Sequence, residues 1–273
     1  MKAVPMKAVI AATIAALACG PALAEDTRQN PLTDSYIWTE LRGDIVGDVE
    51  IADGAGAFEV DAPYRANDAA TVPVTIRQTD PAVTIRGAKV VIDENPAPVA
   101  ADFTFGPGMA PLDMEIRVRV NQYSNVRVIA DTDRGALMTG RFVKASGGCS
   151  APATRDPEQA LAAMGQMRLK HFGQTPAMST ARREAQIMIR HPNYSGLQRD
   201  QVTQLFILAH FIDRLEVWQG DERLFTMAGG ISISENPVFR FAYTDNGAPA
   251  LRVVAHDTEG NRFERVLPKD GQI

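Results

Sequence analysis

The sequence predicts an all-β chain built as two antiparallel sandwiches in tandem. Three observations carry that prediction. Two long runs of short segments alternate apolar and polar residues with a period of two. Gly, Pro, Asn and Asp punctuate those segments at turn-like intervals. Between the runs, near residues 150–165, lies a small and polar connector.

In chain order, residues 25–30 read as a loose start. Residues 31–42 read as a short helix, with Tyr36, Ile37 and Leu41 at helical spacing. The alternation begins after Gly43. "TVPVTIR" (71–77) contains a proline that suits an edge or strand-start position. "GAKVVID" (87–93) and "ADFTF" (101–105) follow. "MEIRVRV" (114–120) is the cleanest strand: Met114, Ile116, Val118 and Val120 share one face, while Glu115, Arg117 and Arg119 share the other, a solvated one. "NVRVIA" (125–130) and "ALMTGRFVK" (136–144) complete the first run, a succession of short strands typical of an antiparallel sandwich.

In the connector, Asp156-Pro157-x-Gln159 has the form of an N-cap, a proline at the first helical position and a capping-box partner. The second run places strands at 167–172, 184–190, 210–218, 223–227, 238–243, 251–256 and 262–267. Gln219-Gly220-Asp221 reads as a hairpin turn and "TDNGAP" as a loop. The domain reading is therefore 1–24 as a signal peptide, 25–149 as the first sandwich, 150–165 as linker and 166–273 as the second.

The signal reading rests on Lys2 and Lys7, an apolar core at 8–17 too short to span a bilayer, and Ala22-Leu23-Ala24 as a cleavage site. It predicts a periplasmic protein with no membrane span. Cys19 lies inside the signal, and Leu17 sits one place too close to it for lipoprotein processing. The net charge of −5 gives no basic footprint for nucleic acid. Loss of the signal leaves Cys149 as the one thiol, in an oxidising compartment. An odd thiol there is either reactive or paired between molecules, so a Cys149 disulfide dimer is among the expectations.

Chemistry concentrates on the same residue. The histidines His171, His191, His210 and His256 form no H-x-x-x-H spacing, and there is no Cys-x-x-Cys, P-loop, G-x-S-x-G elbow or dinucleotide fingerprint. No metal and no cofactor is expected. "KASGGCSAPA" (144–153) sets Cys149 behind Gly147 and Gly148 and ahead of small residues. That bare setting reads as an exposed thiol on a narrow arm, since the neighbours themselves offer no core to enter. His191 in "HPNYSG" reads as a loop histidine that ties backbone groups together.

The residues resemble a known system. "TVPVTI", "DENPAPVAADFTFGPG" (93–108), "NVRVIA" and "SGGC" are similar to SoxY. "IRHPNYSGLQRD" (189–200), "AHFIDRLEVWQGDERLF" (209–225) and "SENPVFRFAY" (234–243) are similar to SoxZ. The chain thus resembles a fused SoxYZ-like sulfur carrier, of the group associated with quinoprotein dehydrogenases. The resemblance implies two immunoglobulin-like sandwiches that pair within the chain. It makes Cys149 a covalent carrier of sulfur intermediates, with Gly147 and Gly148 as the near side of its arm, and it implies no turnover of the protein's own. Implied partners are periplasmic sulfur-oxidation or quinoprotein dehydrogenase proteins. A non-catalytic assembly module for such a dehydrogenase system is the alternative. The chain departs from the pattern after the cysteine: Ser150-Ala151 replaces a glycine pair, and a whole domain follows, so the arm is a loop tethered at both ends.

Overall fold

The computed structural model describes residues 29–152, 157–172 and 182–269. The signal segment with Cys19, and the N-cap Asp156, lie outside the described residues. The helices are α1 (Tyr36–Val46) and α2 (Pro157–Ala162). The strands of the first half are β1 (Ile51–Asp53), β2 (Phe58–Asp61), β3 (Val72–Gln78), β4 (Ile85–Ile92), β5 (Val99–Phe105), β6 (Asp113–Val118), β7 (Ser124–Thr132) and β8 (Gly135–Val143). Those of the second are β9 (Met167–Phe172), β10 (Arg182–Ile189), β11 (Ile212–Gln219), β12 (Glu222–Gly229), β13 (Val238–Thr244), β14 (Ala250–Asp257) and β15 (Arg262–Pro268).

The fold is all-β, two immunoglobulin-like sandwiches, and the two are joined edge to edge. One sheet of nine strands runs β1-β8-β7-β4-β5-β12-β11-β14-β15, and one of six runs β2-β3-β6-β13-β10-β9. Each half contributes to both sheets, and the seams are the antiparallel pairs β5–β12 and β6–β13. The expected pairing within the chain is therefore made by backbone ladders. Alternation dictates what meets at the seams. Phe103 lies opposite Met227 on one, and Phe239 and Phe241 lie opposite Ile116 and Met114 on the other. All six side chains point inward and are buried, into a hydrophobic core that is continuous across the halves. Phe225 stands edge-on to both Phe103 and Phe241. Each buried phenylalanine contributes about 2–3 kcal/mol, so separating the halves would expose several such terms at once.

Three expectations need correction. The first helix starts at Tyr36 rather than 31, because residues 30–33 are held by other bonds. Asn30 Nδ2 donates to the carbonyls of Ala62 and Phe142, and Thr33 exchanges bonds in both directions with the Asn125 amide. Ser35 then caps the helix through Trp38 N–H, and Gly47 at φ +65° ends it. Strands β1 and β2 precede the first one expected. They are three and four residues long, too short for alternation to be read with force. Finally, Arg119 is not on a solvated face. The ladder of β6 ends at Val118, and the chain then turns under residues 231–233, with Arg119 N–H bonded to the Ser232 carbonyl. Arg117 is exposed, whereas Arg119 is only 1% exposed.

Candidate functional site at the cysteine turn

The end of β8 feeds the cysteine. Lys144 N–H bonds the Tyr64 carbonyl at 2.7 Å, Gly147 N–H bonds Asn121 O at 2.8 Å, and Gly148 N–H bonds Val120 O at 3.1 Å. Gly147 turns the chain with φ +78°, a region that L side chains enter at a cost. Gly148 permits contact: a Cβ there would lie 2.1 Å from the Ala69 carbonyl oxygen. The chain then makes one 3₁₀ turn, Gly148–Ser150. The glycines therefore do not loosen an arm. They let it lie down.

The second half holds it there. Ser195 Oγ–H donates to the Cys149 carbonyl, and Gln198 Nε2 donates to Ala151 O at 3.0 Å. Gln198 Oε1 in turn accepts Ser195 N–H at 3.1 Å. Cys149 is 0% exposed. The expectation of an exposed thiol on the Gly147-Gly148 arm is thus corrected. The immediate neighbours offer no core, but residues 69, 119–121 and 195–198 bring one from a distance.

Burial sets the chemistry of the thiol. Desolvation penalises the thiolate and pushes the Cys149 pKa up to about 11, although the positive charge of Arg119 pulls the other way. At neutral pH only about one such thiol in 10⁴ is ionised, so the docked sulfur is a poor nucleophile. Arg119 is itself unusual. Its Nη1 donates to the carbonyls of Ile231 and Ile233, while its Nε–H, fully buried, has no partner among the described residues. A buried guanidinium with one unused donor stands in the electrostatic neighbourhood of the one described cysteine.

The segment carrying Ser195 is fixed by a cluster that the sequence did not disclose. His191, His210 and Asp257 come together from positions far apart in the chain, all buried. His191 Nδ1 accepts the N–H of Asn193 at 3.0 Å, which places its proton on Nε2, facing Asp257 Oδ2 at 3.3 Å. His210 Nε2–H donates to the same oxygen at 2.7 Å. Asp257 also receives the N–H groups of Glu259 and Asn261 and the Asn261 amide. Burial alone would raise the Asp257 pKa, but the donors from Asn261, His210 and His191 outweigh it and hold the carboxyl at about 2. Burial, reinforced by His210, keeps His191 below its ordinary value despite Asp257. With the His191 Nδ1 lone pair committed to a backbone N–H and the Asp257 oxygens filled by donors, the cluster is built as a hydrogen-bonded brace rather than a cation cradle. This is the backbone-tying role expected of His191. The cluster's spacing of 19 and 47 residues matches no local motif, so only the fold reveals it.

Comparison with known proteins now bears on the site. Residues 42–149 match the family described as sulfur oxidation protein SoxY, ending on Cys149 itself. Residues 174–268 match the family described as sulphur oxidation protein SoxZ. Among solved structures, the chain is similar to the sulfur carrier protein SoxY from Chlorobium limicola f thiosulfatophilum, with 24% identity, 39% of this chain and 93% of that chain covered, and a TM-score of 0.33. The comparison with curated proteins gives no match. Matched by two family models in tandem, with the SoxY match closing on the cysteine, the chain belongs to the fused SoxYZ-like carriers of the sulfur-oxidation family.

Proposed function

We propose that this protein is a periplasmic carrier that holds a sulfur-containing intermediate covalently on Cys149 and presents it to partner enzymes, with no turnover of its own. The observation that carries the reading is the SoxY match ending at Cys149, the one cysteine among the described residues. Location in the periplasm rests on the signal pattern at residues 1–24. The buried turn adds a condition: Cys149 must leave its seat beside Arg119 to be loaded or unloaded, and a disulfide dimer through Cys149 needs the same release. In the seated state an anionic adduct, a thiosulfonate or persulfide, would lie near the Arg119 cation rather than in apolar surroundings alone. Intact-mass measurement of protein taken from its native periplasm tests this. Expected are mass additions corresponding to sulfur-containing groups, absent in Cys149→Ser. A Cys149 that is always unmodified would overturn it.

The burial of the thiol favours one second reading, a non-catalytic assembly module for a quinoprotein dehydrogenase system in which the docked turn is structural. Cys149→Ser separates the two. Full support of the partner system by the serine protein would favour the module, and loss of support would favour the carrier.

A further inference from the structure

A separate region presents charge that neither the cysteine turn nor the histidine brace uses. On the outer face of the six-stranded sheet, register sets Arg168 of β9 opposite Met188 of β10, and Met188 opposite Val238 of β13. Phe239 pairs with Ile116, which brings Arg117 of β6 beside Val238. The result is a transverse row, Arg168–Met188–Val238–Arg117: two apolar side chains flanked by two cations. Arg190, just past β10, and Arg265, from the edge strand β15 of the other sheet, complete a cleft of about 470 Å³.

Charge balance distinguishes this cleft from the rest of the same face. Further along, Arg77 pairs with Glu59 and Asp113, and Arg240 pairs with Glu184. None of the four cleft arginines makes an ion pair among the described residues. The cleft has a single carboxylate, Glu235, which accepts a bond from Asn236. The chain as a whole is acidic, at −5, so four arginines against one carboxylate around one hollow are not its default surface.

We propose that this cleft binds a small organic anion carrying two or more carboxylate or sulfonate groups on an apolar body. Guanidinium forks recognise such groups in bidentate fashion. Strands lie about 4.8 Å apart, so the arginines at the two ends of the row rise from backbones about 14 Å apart. With their side chains reaching inward, the space between suits a body about one ring wide. Met188, 37% exposed, and Val238 form its apolar floor. The hollow falls in the range of small-molecule sites, roughly 300–1,000 Å³, and an inorganic oxyanion would leave that floor wet. The inference needs no chemistry at Cys149, so it stands or falls apart from the carrier reading.

The test is calorimetric titration of the full chain with benzene-1,3,5-tricarboxylate at low ionic strength, beside sulfate, a neutral tri(hydroxymethyl)benzene and a hexaglutamate peptide. Expected is saturable 1:1 binding of the tricarboxylate, weaker or absent binding of the other three, and at least a tenfold loss in the Arg168→Gln/Arg265→Gln protein. Met188→Glu, which places a carboxylate in the floor, is expected to lower affinity similarly, and is the second variant should the first fail to fold. No binding of the tricarboxylate overturns the proposal, as does affinity unchanged in the folded variants. Equal binding of sulfate reduces the cleft to nonspecific charge and also overturns it. Tighter binding of hexaglutamate overturns it in favour of an acidic protein partner.

Discussion

The cysteine turn and the arginine cleft lie on either side of the same short stretch, the end of β6 and residues 231–236, yet they are opposites. At the turn nearly everything is paired: Gly147 and Gly148 give their N–H groups to Asn121 and Val120, and the Cys149 and Ala151 carbonyls receive Ser195 and Gln198. In the cleft four arginines share one carboxylate, Glu235, and none of them is ion-paired among the described residues. Arg117 and Arg119 make the contrast within two residues. An ideal strand would put both on one face, but the ladder stops at Val118, so one arginine rims the cleft and the other is buried near the thiol. The comparison teaches that the thiol of Cys149 is kept closed while the arginine cleft is kept open. Reaching the sulfur then requires a conformational step, whereas reaching the cleft does not.

Gly148→Ala is the sharpest way to break that contrast. The added methyl would meet the Ala69 carbonyl, which is backbone and cannot step aside, so the turn leaves its seat. The freed thiol returns toward the ordinary cysteine pKa, two or more units below its docked value of about 11. With access added, its alkylation by iodoacetamide at pH 7.5 is expected to rise about 10³-fold. Intact-mass time courses read this directly. A rate equal to wild type would show that the seat tolerates a side chain and that the glycine serves another purpose.

Asp257→Ala attacks the brace behind the turn. It strands the donors of His191, His210 and Asn261 in a buried site, at a cost of about 3 kcal/mol in urea denaturation. Because the His191 loop carries Ser195, thiol alkylation is expected to rise as well. The arginine cleft lies on the sheet face and its tricarboxylate affinity is expected to hold. The pH dependence has a definite sign. A carboxyl held at about 2 when folded, against about 3.9 unfolded, gives its full stabilisation above pH 4 and loses it as pH falls toward 2. Wild type should therefore lose more stability than Asp257→Asn over that interval.

These two variants also mark how much the sequence could tell. The strands from β3 onward were legible, most clearly where alternation marks a buried face: in β6, Met114, Ile116 and Val118 are inward and Arg117 outward. The hairpin at Gly220 and the loop at Gly247 were legible because both glycines take positive φ. Cys149 stood out in the sequence by its solitude and by the "SGGC" resemblance. Its burial was not legible, because the groups that cover it come from Ala69, Arg119 and Ser195, none of them its sequence neighbours. The brace of His191, His210 and Asp257 was hidden for the same reason. Gly-Gly before a cysteine is equally compatible with freedom and with close packing, and only the Ala69 carbonyl decides between them.

The smallest expected effect separates the two forces that keep the thiol closed, the clasp and the desolvation. Ser195→Ala removes one hydrogen bond to the Cys149 carbonyl, worth about 1 kcal/mol, and should raise the alkylation rate about fivefold. Desolvation acts through the proton instead. With its docked pKa raised to about 11, the thiol supports the closed state fully below about pH 9, where even a released thiol keeps its proton, and that support is lost as pH rises from about 9 toward 11. The serine bond carries no titrating group. In a pH series, Ser195→Ala should therefore shift the whole curve upward by a constant factor and leave its steep region in place. A curve whose steep region moves to lower pH would mean that the clasp is what keeps the thiol dry, and that the two forces are one.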